Sequence, residues 1–302
     1  MRIQVISKDN GVGLTHDFRV LKEAILLADP SAEVLFTDWR QPRRGERFDI
    51  NFHLELVGKD HMAQAPRNIY VPNPEWYYAN LWDRLMPRMT EVWAKTRDCE
   101  SIFKSKHHRV EFSGWTSDDT HRPVAEKLMQ CLHVAGASSA KGTLQVIEAA
   151  SVLPDIAFVL VSRTDRFAGL PTNVRLVISP SSIELLQLQN TSMVHLCPSS
   201  YEGFGHYINE ARACGAFVIT TNAPPMNELI DKMCGAAVAA PTFTTQNLAV
   251  HHHVTGAELA GCIESVMGAN MDILQRYGAN ARKAYVDGRA SFHTFVTNKI
   301  HS

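Results

Sequence analysis

Two glutamates and a lysine carry the residue types and spacing from which chemistry could be built. Glu202 and Glu210 enclose seven residues within Ser199-Ser200-Tyr201-Glu202-Gly203-Phe204-Gly205-His206-Tyr207-Ile208-Asn209-Glu210-Ala211. The apolar run Met193-Val194-His195-Leu196-Cys197 before it, bounded by Pro198, reads as a buried strand. After it, Ile208, Ala211, Ala213 and Cys214 form an apolar helical face, with Gly215 as the C-cap candidate. The order is strand, polar glycine-containing turn, helix, and parallel α/β sheets place ligands at such carboxyl ends of strands. At ~1.5 Å rise per residue the two glutamate backbones lie roughly 12 Å apart, enough to hold a long ligand at two points. A plainer role is open to both: Glu202 as a helix N-terminal charge and Glu210 on a solvated face.

Lys141 occupies a second turn of the same kind. Leu132-His133-Val134-Ala135-Gly136 reads as a strand, Ala137-Ser138-Ser139-Ala140-Lys141-Gly142-Thr143 as the turn, and Leu144, Val146, Ile147 and Ala150 as a helical face. A lysine among small residues at a strand-to-helix turn can share a phosphate charge with the helix's first amides. The spacing of a Walker A loop is absent. Lys8-Asp9-Asn10-Gly11-Val12-Gly13 is a third turn of this type, between strand Ile3–Ile6 and a helix carrying Phe18, Leu21, Ile25 and Leu26. Its Gly-x-Gly could cradle phosphate or could be a simple turn.

Other residues have two readings each. His53 ends the strand Asp49–His53 and could face a crevice or complete the core. Arg163 follows strand Ile156–Val161, as a surface residue or a second phosphate cation. Asn73 and Glu75 sit in a loop stiffened by Pro72 and Pro74. Residues 40–47 carry four arginines, suited to a solvated loop or to an anionic acceptor. His251-His252-His253 lies in a polar segment, 242–254, expected to be a loop, since consecutive histidines ligate a metal poorly.

Glu-Gly-Phe-Gly and the second glutamate after seven residues resemble the E-x7-E signature of retaining GT-B glycosyltransferases, the large group-1 family. Ala211 to Thr220 is similar to that family's continuation, with Phe217 where proline is usual. Gly136, Lys141 and Gly142 resemble its pyrophosphate loop, with Ala137 where arginine is common. The resemblance is strongest over 132–230 and thin over the first 120 residues. It implies two Rossmann-like domains facing across a cleft, with a C-terminal helix crossing back to the first domain. It also implies a donor site of Gly11, Gly13, Gly136, Ser138, Lys141, Gly142, Arg163, Glu202, Gly203, Phe204, Gly205 and Glu210. Catalytic roles fall on Glu202, Lys141 and His53: Lys141 holds the departing diphosphate, Glu202 the donor sugar and His53 contacts that sugar, while Glu210 takes the ribose hydroxyls.

The elements that must position these residues read as alternating strands and helices, the pattern of a doubly covered parallel sheet. Strands are expected at 33–37, 48–53, 67–71, 91–94, 109–112, 174–178, 217–220 and 236–239. Helices are expected near 57–64, 75–86 and 99–104, and across most of 258–295. The polar run Thr116–Pro123 marks a boundary, giving domains at 1–120 and 121–280 and a returning helix at 281–302.

At 302 residues with 45% hydrophobic and 20% charged residues, the chain suits two globular domains. A net charge of −1 offers no basic field for nucleic acid. Six scattered cysteines without a C-x-x-C suggest reduced thiols, a cytoplasmic setting and no zinc site. No signal-peptide pattern or apolar run of spanning length is evident, so membrane contact is expected to be peripheral at most. The expected function is metal-independent, retaining transfer from a nucleotide-diphosphate sugar to a glycan, lipid or protein acceptor. A sugar-nucleotide epimerase or hydrolase, and a non-catalytic nucleotide-sugar-binding protein, are the alternatives. No D-x-D occurs, and no metal or other cofactor is expected.

Overall fold

Runs of Val, Ile and Leu without polar alternation, as in Ile3–Ile6 or Phe158–Val161, form strands buried on both faces. In the computed structural model, which describes residues 1–136, 138–167 and 169–301, such strands build two separate parallel sheets. The chain divides into two units. The first holds residues 1–118, 245–249 and 287–301; the second holds 119–244 and 250–286.

The first unit runs β1 (Arg2–Ser7), α1 (Gly13–Ala28), β2 (Glu33–Asp38), β3 (Ile50–Leu54), β4 (Arg67–Val71), α2 (Ala79–Trp82), β5 (Glu91–Ala94), α3 (Arg97–Lys104) and β6 (Val110–Phe112). Its sheet has the order β2-β1-β3-β4-β5-β6, every pair parallel. The order turns back between β1 and β3, so the connections leaving these neighbours diverge. Thr96 caps α3 by accepting the Cys99 N–H at 3.1 Å. The expected helix over 57–64 is a 3-10 turn at Lys59–Gln64. The expected helix over 75–86 is broken into a 3-10 turn at Pro74–Trp76, the single turn α2 and another 3-10 turn at Met86–Arg88. Pro74 and Pro87 lack the N–H that a continuous helix would need. Residues 287–301 belong to this unit as the end of a long helix: Phe292 packs on Trp115 and Phe295 on Trp93, each at 4.9 Å between ring centres.

The second unit runs β7 (Leu128–Gly136), α4 (Thr143–Val152), β8 (Phe158–Ser162), β9 (Val174–Ile178), α5 (Ser182–Thr191), β10 (Ser192–Cys197), α6 (His206–Ala213), β11 (Phe217–Thr221) and β12 (Gly235–Val238). Then follow β13 (Thr242–Gln246), β14 (Ala249–His253), α7 (Gly256–Met267) and α8 (Met271–Ile300), whose last part is the helix of the first unit. The parallel sheet has the order β12-β11-β10-β7-β8-β9 and turns back between β7 and β10. Reciprocal side-chain caps start α5 (Ser181 with Glu184) and α7 (Thr255 with Glu258). Gly215 does terminate α6: its φ is +64°, its N–H reaches the Arg212 carbonyl at 3.0 Å, and Ala216 N–H reaches Ala211 at 3.2 Å.

The segment expected to be a loop at 242–254 is instead the two-stranded ribbon β13–β14. Its threonines and histidines gave no apolar signal, and its strands are largely exposed. His252 N–H bonds the Ser200 carbonyl at 2.9 Å, tying the ribbon to the Glu202 loop.

Candidate functional site

β7 and β10 are neighbours, and each ends in a turn that enters a helix. The turn after β7 carries Lys141 and the turn after β10 carries Glu202. Both meet where the strand order reverses, the place at which open α/β sheets bind ligands. Lys141 Nζ lies 2.7 Å from Glu202 Oε1. It also stands 3.6 Å from the centre of the Tyr207 ring. Ser199 Oγ donates to the same Glu202 oxygen at 2.5 Å and contacts the Tyr207 hydroxyl. Burial pushes the Tyr207 phenol well above its ordinary range, so it stays protonated.

The scaffold beneath is tightly built. Gly142 has φ +69°, and a Cβ there would fall 2.3 Å from the Pro198 carbonyl oxygen. Only glycine lets the two turns approach so closely. Ser200 N–H bonds the Ala140 carbonyl at 2.8 Å, linking the turns again. His133, on β7, spans β10 and α4. Its Nδ1 is 2.8 Å from the Leu196 carbonyl and its Nε2 is 2.9 Å from the Thr143 hydroxyl. A carbonyl can only accept, so Nδ1 carries the proton and Nε2 accepts from Thr143. Burial lowers the His133 pKa to about 4, keeping the ring neutral.

Two helix N-termini open at this point. α4 begins after Gly142 and α6 after Gly205, whose φ is +97°, and no side chain caps either. Uncapped N-terminal amides and the helix dipole favour an anion. Glu202 lies four residues before α6 starts, in the turn itself, while Glu210 is on the helix. Gln189 Nε2, at 3.3 Å, reaches Glu210 Oε2, and Thr120 donates to the Glu210 carbonyl at 3.1 Å. Gly203 and Phe204 are buried in the turn, with Phe204 edge-on to His206 at 5.3 Å. Gly136 ends β7 with φ +61°, and Ser138 caps the 3-10 turn Ser139–Lys141 by accepting the Ala140 N–H at 3.1 Å. Arg163 is exposed at the end of β8 on the same sheet edge. Ala137, where an arginine was the expected pattern, lies outside the described residues.

Three of the expected residues, His53, Gly11 and Gly13, belong to the first unit. His53 is a core residue: its side chain is fully buried, Nδ1 accepts the Gly58 N–H at 3.3 Å, and Nε2 is 3.2 Å from Asn68 Oδ1. Burial lowers its pKa to about 4. The register of β3 and β4 puts His53 and Asn68 on one face of the sheet, where the two side chains meet. Gly11 and Gly13 are exposed, but side chains of the same turn engage its amides. Asp9 Oδ1 accepts from the Thr15 hydroxyl at 2.6 Å and from Gly11 N–H at 3.2 Å; Asn10 Oδ1 accepts from Val12 N–H at 3.0 Å. Of the arginines in 40–47, Arg43 is used internally, on the Thr37 hydroxyl at 2.9 Å and the Phe36 carbonyl at 3.2 Å.

Several supporting residues escaped sequence reading: Ser199, Tyr207, His133, Thr143 and His251. His251 Nδ1 is 3.1 Å from Ser200 Oγ, behind the Glu202 turn. Of these, Ser199 and Tyr207 lay inside the Glu202–Glu210 stretch, without a feature announcing a role. Among the described residues no group of three or more His, Cys, Asp or Glu is arranged to hold a metal, and no helix is long and apolar enough to cross a membrane.

Residues 118–251 match the model of the family "Glycosyl transferases group 1". Over 112 residues the chain is 27% identical to GDP-mannose:cellobiosyl-diphosphopolyprenol alpha-mannosyltransferase of Komagataeibacter xylinus, a match covering 37% of this chain and 28% of that enzyme. Its fold is similar to that of Anabaena Alr3699/HepE in complex with UDP-glucose, with a TM-score of 0.73, 14% identity, and coverage of 100% of this chain and 99% of that one. It is equally similar to sucrose-phosphate synthase from Thermosynechococcus elongatus, with a TM-score of 0.74, 13% identity, and coverage of 100% and 97%. Two Rossmann-like units of the GT-B class, with the E-x7-E glutamates at the second unit's switch point, agree with these matches. Residues 118–251 are thus similar to the group-1 glycosyltransferases.

Proposed function

We propose that the chain transfers a glycosyl group from a nucleoside-diphosphate sugar to an acceptor, with retention and without a metal ion. The observation that carries this reading is the Lys141–Glu202 pair, 2.7 Å apart between two uncapped helix N-termini at the switch point of a group-1 domain. The diphosphate sits against those N-termini, where amides and dipoles favour its charge. Lys141 exchanges the Glu202 carboxylate for a phosphate oxygen. Glu202, released, accepts bonds from hydroxyls of the donor sugar, and Glu210 accepts from the ribose. When the anomeric C–O bond breaks, its electron pair leaves on phosphate oxygen, and Lys141 with the amides stabilises that charge. The acceptor oxygen attacks the oxocarbenium-like centre from the same face, and its proton passes to the departing phosphate. The mechanism uses no covalent nucleophile: Glu202, held by Lys141 and Ser199 before the donor arrives, turns to hydrogen-bonding the sugar. Six unpaired cysteines support a reducing, cytoplasmic setting.

The relative with a mannosyltransferase name uses GDP-mannose by that name, and the Anabaena protein was solved with UDP-glucose. A donor panel therefore begins with these two. Incubation with each donor should release free sugar slowly from one of them, faster when an acceptor extract is added. Interconversion of the nucleotide sugar, or no turnover of any donor, would contradict the reading.

A further inference from the structure

Tyr207 reaches both members of the Lys141–Glu202 pair, with two different parts of its side chain. It is the second residue of α6, and its ring packs on the cluster containing Cys197, Ile208, Ala211 and Met226. The far end of the ring is held as well, because its hydroxyl contacts Ser199 Oγ. A tyrosine has only two side-chain torsions, and contacts at both ends of the ring fix them at low entropic cost.

The direction of the hydroxyl contact follows from counting hydrogens. A carboxylate can only accept, so Ser199 gives its single hydroxyl hydrogen to Glu202 Oε1, at 2.5 Å. Ser199 Oγ is then the acceptor toward Tyr207, whose phenol stays protonated and donates. The Tyr207 hydroxyl thus acts on Glu202 through one intermediate. The ring face meets the other partner: Lys141 Nζ stands 3.6 Å from the ring centre, within the range of a cation–π contact. Lys141 Nζ also donates to Glu202 Oε1, at 2.7 Å, so four side chains close a circuit.

The circuit is open to a ligand. The side chains of Lys141 and Glu202 are 18% and 15% exposed, so a group arriving from solvent can reach both. Once a donor separates the pair, their mutual attraction no longer places either charge. The aromatic face still attracts the ammonium, and Ser199, oriented by Tyr207, still donates to the carboxylate. We propose that Tyr207 is a positioning residue of the transfer reaction: its ring holds Lys141 for the diphosphate, and its hydroxyl, through Ser199, aims Glu202 at the donor sugar. The proposal rests on the glycosyl-transfer reading and deepens it.

The two parts of the side chain can be removed separately, and calorimetry on the full chain reads each. UDP is paired with UDP-glucose and GDP with GDP-mannose. Tyr207→Phe removes the hydroxyl alone: it should leave free diphosphate affinity within about twofold and weaken the sugar conjugate about fivefold. Ser199→Ala should do the same, and the double variant should lose no more than Ser199→Ala, because the two hydroxyls act in one chain. Tyr207→Leu removes the ring too and should weaken the free diphosphate about tenfold. Since the ring packs on a core, Tyr207→Met accompanies Tyr207→Leu, and melting temperatures are taken for every variant.

Equal losses of diphosphate and conjugate in Tyr207→Phe, or additive losses in the double variant, would overturn the proposal. So would unchanged diphosphate affinity in the folded leucine or methionine variant, or affinity losses that only track melting temperature. Failure of both UDP and GDP to bind the unaltered chain is a distinct result, which removes the donor reading and this role with it. Binding by the unaltered chain with equal affinities in all variants removes this role alone.

Discussion

Lys141 Nζ and Glu202 Oε1, 61 residues apart in sequence, meet at 2.7 Å between the turns that follow β7 and β10. In the proposed function each partner is needed elsewhere once a donor arrives: the lysine at phosphate, the carboxylate at sugar hydroxyls. Partly buried, the pair keeps both groups placed and compensated until a ligand with matching charge separates them.

Lys141→Ala should therefore lower turnover and nucleoside-diphosphate affinity much more than stability. A charge-assisted contact with phosphate is worth about 1.5–3 kcal/mol, or roughly ten- to a hundredfold in affinity. Thermal melting without ligand and calorimetry with the diphosphate read the two effects. A large fall in melting temperature with little change in affinity would mark the lysine as structural.

Acid should destabilise the fold through its buried imidazoles. Burial lowers the pKa of His53 and His133 to about 4 and that of His195 to about 3, from an ordinary 6.5. Unfolded chains bind these protons first, so the stability contributed is full above about pH 6.5 and is lost as pH falls through the folded values. At ~1.4 kcal/mol per pKa unit, each imidazole costs roughly 3 kcal/mol by pH 4. Urea midpoints measured from pH 7.5 to 4.5 should fall steadily below about pH 6.5, and His133→Gln should flatten part of the fall. A midpoint constant across this range would contradict the assignment.

Transfer should survive excess chelator. The proposed mechanism meets the diphosphate charge with Lys141 and with the N-termini of α4 and α6, which no side chain caps. Activity lost on adding EDTA and restored by magnesium or manganese would remove this part of the mechanism.

Legibility in the sequence followed the kind of signal each element carries. The strands at 67–71, 91–94 and 174–178 match the expected bounds to the residue, since their Val, Ile, Leu, Tyr and Trp residues stand out between polar turns even where, as in β9, no residue is fully buried. The Lys141 and Glu202 turns were legible because small and polar residues interrupt such runs just before a helix. Ribbon β13–β14 was not, because exposed strands of Thr and His lack a buried face. His53 was open between two readings for a related reason: a histidine at a strand's end reads the same whether it faces a crevice or, as here, bonds Asn68 in the core. Long-range partnerships were invisible. No local pattern tells that Gly142 must clear Pro198, or that His133 braces Thr143.

Calorimetry on Glu202→Ala and Glu210→Ala, each with free nucleoside diphosphate and with intact donor, tests the donor site most directly. Glu210, on α6, is assigned to the ribose, and Glu202, in the turn beside Lys141, to the sugar. Glu210→Ala should weaken both ligands alike, by about a hundredfold if two charge-assisted bonds worth roughly 3 kcal/mol are lost. Glu202→Ala should spare the free diphosphate, or tighten it by freeing Lys141, while lowering donor affinity or turnover. Equal loss of the free diphosphate in both variants, or no loss in either, would contradict the placement of a nucleotide sugar along the Glu202–Glu210 stretch.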